Sequence, residues 1–321
     1  MRYVLCFILL IEFFKTGYVY SQHSSFNSQD NWSLSKRELQ FGLGGTQFTG
    51  DLGGTPDIGT DYSLRDINLE ATGFAAWIGY RQRFHPLFAT TTSICLFGLK
   101  GDDALSSNII RNTRNLNFRS TTFEIQQRLE CIFYSVERFG ARYRVPGTSY
   151  VKNRNEQYYF FTGIGLMRFN PKGYYNGSWY ELKPLRTEGQ GLPGGPEEYK
   201  RYTFTVPFGI GFRVGISRMW RLGLEATYVK TFSDYIDDVS GVYYDKSKFQ
   251  SGLAAHFSNP AKQNLDWFRP GDQRGDPTHK DAYYHLNIIL TRNITYKEFN
   301  LNVKRKGRSF SQGKKLRRFR G

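Results

Sequence analysis

Tyr202-Thr203-Phe204-Thr205-Val206-Pro207-Phe208-Gly209-Ile210-Gly211-Phe212-Arg213-Val214 divides by parity. In an extended chain Phe204, Val206, Phe208, Ile210, Phe212 and Val214 share one face, and Thr203, Thr205, Pro207, Gly209, Gly211 and Arg213 share the other. A half-buried strand of a soluble sandwich alternates in the same way. The length decides between them: about twelve residues with aromatic ends suits a tilted bilayer crossing.

The alternation recurs. Between Thr121 and Ser135, Phe123, Ile125, Leu129, Cys131 and Phe133 lie on one face, opposite Glu124, Gln126, Arg128 and Glu130. From Arg221, Leu222, Leu224, Ala226 and Tyr228 oppose Arg221, Gly223, Glu225 and Thr227. In the last such segment Tyr284, Leu286, Ile288 and Leu290 alternate with His285, Asn287 and Thr291. Further segments at about 37–48, 69–84, 87–101 and 156–169, with faces less cleanly separated, bring the expected strands to eight, an even number as bacterial barrels require. Connections near 85 and 217 are tight and that at 137–155 is moderate, whereas 49–68, 102–116, 170–199 and 234–281 are long. Short periplasmic turns and long outer loops are the pattern of an outer-membrane barrel. The expected fold is all-β: an eight-stranded antiparallel transmembrane barrel over 37–297, with both termini periplasmic.

Composition agrees. The 321 residues include 27 Phe, 22 Tyr and 33 Gly but only 3 Met, a balance that favours sheets over helices. After residue 22 no apolar run reaches the length of a transmembrane helix, so a membrane-spanning chain must close its backbone hydrogen bonds as a barrel. At the N-terminus Arg2, the apolar run Tyr3–Ile11 and the Val19-Tyr20-Ser21 stretch read as a secretory signal peptide over 1–21, followed by a periplasmic segment at 22–36. A membrane anchor would need about 20 apolar residues, and Glu12 and Lys15 interrupt this run. Three cysteines, Cys6, Cys95 and Cys131, are too few and too scattered for a disulfide framework or a zinc site.

The formal net charge of +16 is unevenly distributed. The long connections sum to about −6, while the opposite side, with the segment 298–321, sums to about +14. Arg138, Arg142 and Arg144 contribute in the moderate turn; Lys304, Arg305, Lys306, Arg308, Lys314, Lys315, Arg317, Arg318 and Arg320 form a basic tail without an acidic residue among them. In a secreted chain the expected partner of such a tail is a periplasmic protein, peptidoglycan or lipid phosphate rather than nucleic acid, against the plainer reading of a solvated tail without a specific partner.

An eight-stranded barrel has room inside for its own side chains and little else. Glu124, Arg128, Glu130, Arg213, Arg221 and Glu225 are therefore expected to pair across the lumen as a structural charge network. No Ser/His/Asp constellation is spaced for nucleophilic catalysis. His285, with Asp281 or Asp234 nearby, could act as a general base, against the plainer reading of a lumen histidine in a hydrogen-bond network. Asp237 and Asp238 could offer oxygen ligands to calcium, against the plainer reading of a polar turn; Asn176-Gly177-Ser178 reads as a turn. No cofactor is expected, and the protein is expected to be non-enzymatic.

Three stretches carry a resemblance. Leu43-Gly44-Gly45-Thr46-Gln47-Phe48-Thr49-Gly50-Asp51-Leu52 closes the first strand; Tyr235-Ile236-Asp237-Asp238-Val239-Ser240-Gly241-Val242-Tyr243-Tyr244 opens the last loop; and Arg274-Gly275-Asp276-Pro277 leads through Asp281 and Tyr283 into the last strand. In these motifs, and in their order and spacing over nearly the whole mature chain, the sequence resembles the PorG-like outer-membrane barrels of Bacteroidota. The resemblance implies a component of the type IX secretion machinery that contacts a periplasmic ring of PorK-type lipoprotein and PorN-type partner, with no catalytic residues. The alternative is a free-standing surface barrel in the outer-membrane lipid whose loops bind a glycan, lipopolysaccharide or host ligand.

Overall fold

The computed structural model describes residues 32–52, 69–106, 108–138, 154–217 and 219–295. The signal segment, Arg142, Arg144 and the basic tail lie outside the described residues.

Among the described residues ten strands form, and eight of them close into a barrel. These are β1 (Arg37–Thr49), β2 (Gly73–Arg83), β3 (Phe88–Asp102), β4 (Asn117–Arg138), β5 (Arg154–Arg168), β8 (Tyr202–Gly215), β9 (Trp220–Thr231) and β10 (Ala282–Asn293). Each pairs antiparallel with its neighbours, and closure comes from β1 against β10, where Glu38 faces Asn293 and Thr49 faces Ala282. The other two strands, β6 (Pro171–Tyr175) and β7 (Ser178–Glu181), form a hairpin beyond β5, paired to β4 through Arg119 and Ser120. Asn176 (φ 46°) and Gly177 (φ 81°) supply the two left-handed residues of its tight turn, so the expected turn is present within an element that periodicity alone left as a loop.

The barrel is inverted relative to a soluble protein. Phe74 (65% exposed), Ile164 (68%), Phe204 (67%) and Leu286 (63%) project outward, whereas Arg81, Glu38 and Glu130 are wholly buried inside. Water would not tolerate so large a continuous apolar wall, and hydrocarbon would. Aromatic pairs stand at both edges of the wall. At the short-turn end Tyr134 packs on Tyr158 with centroids 5.5 Å apart, and Phe133 on Phe160 at 6.2 Å; at the long-loop end Tyr228 meets Tyr284 at 5.0 Å. A bulge between Ile132 and Tyr134 turns two consecutive aromatics, Phe133 and Tyr134, outward. Among the described residues no helix is long and apolar enough to cross a membrane, which leaves the crossing to the strands.

Pro207 has no N–H to give. The β5–β8 pairing is accordingly interrupted beside it, between Thr162↔Phe208 and Gly165↔Thr205, with the register unchanged across the gap, while Pro207 still faces Val229 on β9. Cys95 faces Glu124 and Cys131 faces Phe88, so the two thiols are far apart in register and both are free.

Glycines at one patch of β8 set the lumen width. The rings of Phe161 and Tyr159 lie over Gly209 and Gly211, where an added Cβ would come within 2.3 Å and 2.5 Å of them. Tyr159 cannot retreat, because its hydroxyl donates to Glu225 and Arg213 lies 4.1 Å from its ring centroid. Gly211→Ala is therefore expected to destabilise the barrel by about 1–3 kcal/mol. Gly98→Ala, where nothing lies within 4 Å, should cost less than about 0.5 kcal/mol; urea unfolding in lipid vesicles compares the two.

Candidate functional site

The lumen is filled in two layers. Towards the short turns lie five guanidinium groups, Arg81, Arg83, Arg128, Arg213 and Arg221, and five carboxylates, Glu38, Glu124, Glu130, Glu137 and Glu225, all buried. Glu38 is the hub: Arg81 approaches it at 2.8 Å, Arg221 at 3.0 Å and Arg213 at 3.6 Å. Glu130 links the same set, accepting from Arg81 at 2.7 Å, Arg213 at 3.1 Å and the Thr91 hydroxyl at 2.6 Å. Arg128 pairs with Glu225 at 3.0 Å and stacks between Trp77 and Phe161, 5.0 and 4.5 Å from their centroids. Arg83 pairs with Glu137, which also accepts from Gln157. Equal numbers of opposite charges held this closely leave neither a charged lining nor a lumen wide enough for a solute.

Six of these ten charged residues are those expected from the sequence. Glu124 departs from the expected ionic pairing: it accepts hydrogen bonds from Thr205 and from Tyr283 at 2.8 Å, with no ion pair among the described contacts. It stands at the long-loop side of this charged layer, where neutral donors replace guanidinium groups. Arg81 and Arg83 escaped the reading because they share β2 with inward apolar residues such as Trp77; Glu38 lies at the very start of β1, and Glu137 fell in the expected 137–155 turn. The pattern Tyr80-Arg81-Gln82-Arg83 could have disclosed two of them.

His285 is buried, but not in a hydrogen-bond network. Its ring packs edge-on against Phe97 at 4.7 Å and Tyr283 at 5.1 Å, and neither nitrogen has a hydrogen-bond partner among the described residues. Asp281 is turned away to accept from the Ile236 N–H, and Asp234 accepts from the Ser240 hydroxyl, so the geometry assembles no acid–base pair on His285. A histidine on an aromatic shelf serves as packing.

The second layer is a cap. Leu52, Leu116, Phe118, Phe169, Leu182, Tyr199, Ile236, Val239 and Phe257, contributed largely by the long connections, form one apolar cluster with the lumen residues Phe48, Phe97, Leu99 and Tyr283. Polar clasps fix it. Arg114 grips Asp103 through two nitrogens at 2.7 and 2.9 Å and reaches the carbonyls of Asp51 (2.7 Å) and Arg274 (2.6 Å). Arg274 pairs with Glu188 at 2.8 Å and donates to the Asp238 carbonyl at 2.7 Å.

The three stretches that carry the resemblance meet here. Asp51 accepts from the Asp276 N–H at 2.9 Å, Asp237 from the Leu52 N–H at 3.1 Å, and the Gly241 carbonyl from the Arg274 N–H at 2.8 Å. Asp238, in the left-handed region at φ 67°, accepts from Thr187 and Tyr199, each at 2.6 Å, and Tyr235 stacks on Tyr199 at 4.6 Å. A Cβ on Gly50 would strike the Asp281 carboxylate at 2.4 Å, and one on Gly275 the Asp51 carboxylate at 2.3 Å, so both glycines allow the approach of a neighbouring loop. Asp237 and Asp238 point to different protein donors, the arrangement of a structured polar turn. Arg274 is buried, so the Arg274-Gly275-Asp276 tripeptide does not present its cation to solvent.

Burial raises the cap carboxyls. Asp51 and Asp238 are pushed up to about 6 and Asp234 to about 7, while Asp237 and Asp281 stand well above the usual range, with mutual repulsion among Asp51, Asp234, Asp237 and Asp281 adding to desolvation. Arg114 and Arg274 offset part of this for Asp51, Asp237 and Asp238, and Lys280 for Asp234, while Glu188 adds to the rise at Asp234 and Asp238. A carboxyl with a raised folded-state pKa penalises the folded form above that pKa, and the penalty is relieved as pH falls through it towards the unfolded value. The cap should therefore open less often at about pH 5 than at about pH 8. Hydrogen exchange at the Val239 and Ser240 amides, corrected for intrinsic rates, checks this; slower opening at the higher pH would contradict it.

No family model matches the chain, and no curated protein matches it. Among solved structures it is similar to Neisserial surface protein A (7% identity over 80% of this chain and 96% of that one, TM-score 0.33). It is also similar to Ail, the attachment invasion locus protein of Yersinia pestis (8% identity over 80% and 98%, TM-score 0.33). At these scores the likeness adds nothing to what the register already establishes. The closed register, the apolar outer wall and the neutral, filled lumen define an eight-stranded barrel of the outer-membrane type, sealed by its own side chains and capped at one mouth by its long loops.

Proposed function

We propose that this protein is a non-enzymatic outer-membrane component of the type IX secretion machinery that anchors or positions a periplasmic ring. The supporting observation is the convergence of Gly50-Asp51, the stretch from Tyr235 to Gly241 and Arg274-Gly275-Asp276 on a single buried clasp. Residues so far apart in sequence build one piece of structure here, as expected if the three stretches of the PorG-like resemblance are a single structural unit. A sealed lumen suits an anchor, since the barrel then contributes position and depth in the membrane rather than passage.

In this reading the short-turn end, where β1 begins and β10 ends, is periplasmic, and the partner is the PorK and PorN type pair. Arg138, Arg142, Arg144 and the basic residues from Lys304 to Arg320 would supply the positive charge that it recognises. Affinity capture of the full-length tagged protein from detergent-solubilised membranes should recover the ring lipoprotein and its partner. Replacing the nine tail cations by Gln should reduce that recovery and its salt sensitivity. Capture of the barrel without periplasmic companions would refute the secretion reading; unchanged recovery with the neutralised tail would refute only its electrostatic part.

A further inference from the structure

A cleft of about 860 Å³ opens in the cap between the chain following β7 and the segment after Tyr243, and the secretion reading makes no use of it. Its size lies within the range of small-ligand sites, about 300–1,000 Å³. Its lining is electrostatically one-sided: Lys183, Arg186, Arg201 and Lys248 face it against the single carboxylate of Glu198. This cleft is basic in a cap whose connecting loops are otherwise acidic in sum.

The cations fall into two kinds. Arg186 is paired with Glu198 at 2.6 Å, and Arg201 with Glu181 at 3.1 Å. Lys183 and Lys248 instead lie over the faces of Tyr199 (5.8 Å) and Tyr244 (5.5 Å), arrangements that keep an ammonium group near the cleft without neutralising it. Between them the floor is aromatic. Tyr244 and Phe249 meet edge to face at 5.3 Å. Tyr244 is locked from two sides: its hydroxyl donates to the Pro193 carbonyl at 2.9 Å, and its ring covers Gly189, where a Cβ would come within 2.3 Å and φ is +71°. The floor is therefore set before any ligand arrives, which lowers the entropic cost of binding.

We infer that this cleft binds an anionic saccharide, its carboxylate or phosphate groups held by Lys183 and Lys248 and a sugar face laid on the half-buried Phe249, which the buried Tyr244 ring backs. A small inorganic anion would use the rim and leave the aromatic floor empty; a neutral sugar would use the floor and leave the cations unanswered. Acidic sugars satisfy both. They could come from a soluble polyuronate or from the phosphorylated core of lipopolysaccharide, which share this chemistry.

The test is calorimetric titration of the full-length protein, folded in detergent, with hexagalacturonate, with phosphorylated core oligosaccharide, with maltohexaose and with pyrophosphate. One or both acidic sugars should bind at low salt and weaken as salt rises, and the tighter of the two identifies the source. Lys183→Gln with Lys248→Gln should reduce that affinity at least about tenfold, equivalent to about 1.4 kcal/mol. Phe249→Ala should weaken the sugar severalfold and leave pyrophosphate unchanged. Heat-modifiable gel migration verifies that each variant keeps its barrel. Undiminished affinity in the double lysine variant overturns the assignment, because the basic tail would then be the binding element. Maltohexaose or pyrophosphate binding as tightly as the acidic sugars overturns it too, as does the absence of binding by either acidic sugar.

Discussion

Glu38→Leu should destabilise the barrel by about 3–5 kcal/mol, the usual consequence of removing one partner from a buried ionic cluster. The size follows from what is left behind. Three guanidinium groups, those of Arg81, Arg221 and Arg213, lie within 4 Å of this carboxylate, and all four side chains are almost wholly buried. Glu130 can still serve Arg81 and Arg213, but Arg221 has no other described ion pair. Losing the glutamate thus strands a positive charge inside a membrane-embedded lumen. Adding Arg221→Leu to Glu38→Leu should restore part of the loss, since the penalty is that of an uncompensated charge rather than of missing volume. Reversible urea unfolding in lipid vesicles measures both. A single variant as stable as the parent would mean that the cluster is hydrated and contributes little.

Arg274→Gln should loosen the cap while leaving the barrel intact. Its guanidinium joins Glu188 from the connection after β7 to the Asp238 carbonyl and to the helix Gly252–Ser258, through the carbonyls of Ser258 (3.2 Å) and Phe257 (3.3 Å). Without it Glu188 keeps the Ser240 and Gly241 N–H donors but loses its counter-ion in a buried site. The local cost is about 3 kcal/mol, which raises the open fraction of the cap about a hundredfold. Limited proteolysis of the folded protein should then cut within 182–199 and 234–281 much faster than in the parent, with unchanged heat-modifiable migration. Parental cleavage rates would show that the apolar cluster alone holds the cap.

The barrel was legible where the inward residues are small or polar. β8 alternates almost without exception because Thr203, Thr205, Gly209, Gly211 and Arg213 face a crowded interior. β2 and β3 alternate just as regularly in burial, yet Trp77, Phe97 and Leu99 point inward, so hydrophobicity ceases to distinguish the faces. That change of lining is itself structural: near the long-loop mouth the lumen is packed with apolar side chains continuous with the cap. The β6–β7 hairpin stayed hidden because strands of five and four residues are too short for a periodic signal, although its Asn176-Gly177 turn was visible. The cap motifs could be recognised one by one, but not their meeting. Contacts such as Asp51 to Asp276 span 225 residues and follow no local period. Arg114 and Glu188, which hold those motifs together, carry no sequence mark that separates them from other loop charges.

A barrel closed to passage suits the proposed anchoring role. Planar-bilayer recording of the refolded full-length protein tests this most directly. The filled and neutral lumen predicts incorporation without conductance steps at moderate voltage. Reproducible, ion-selective steps from the parent protein would contradict it, and would turn attention from the anchoring surface to a path through the side chains around Glu38 and Arg128.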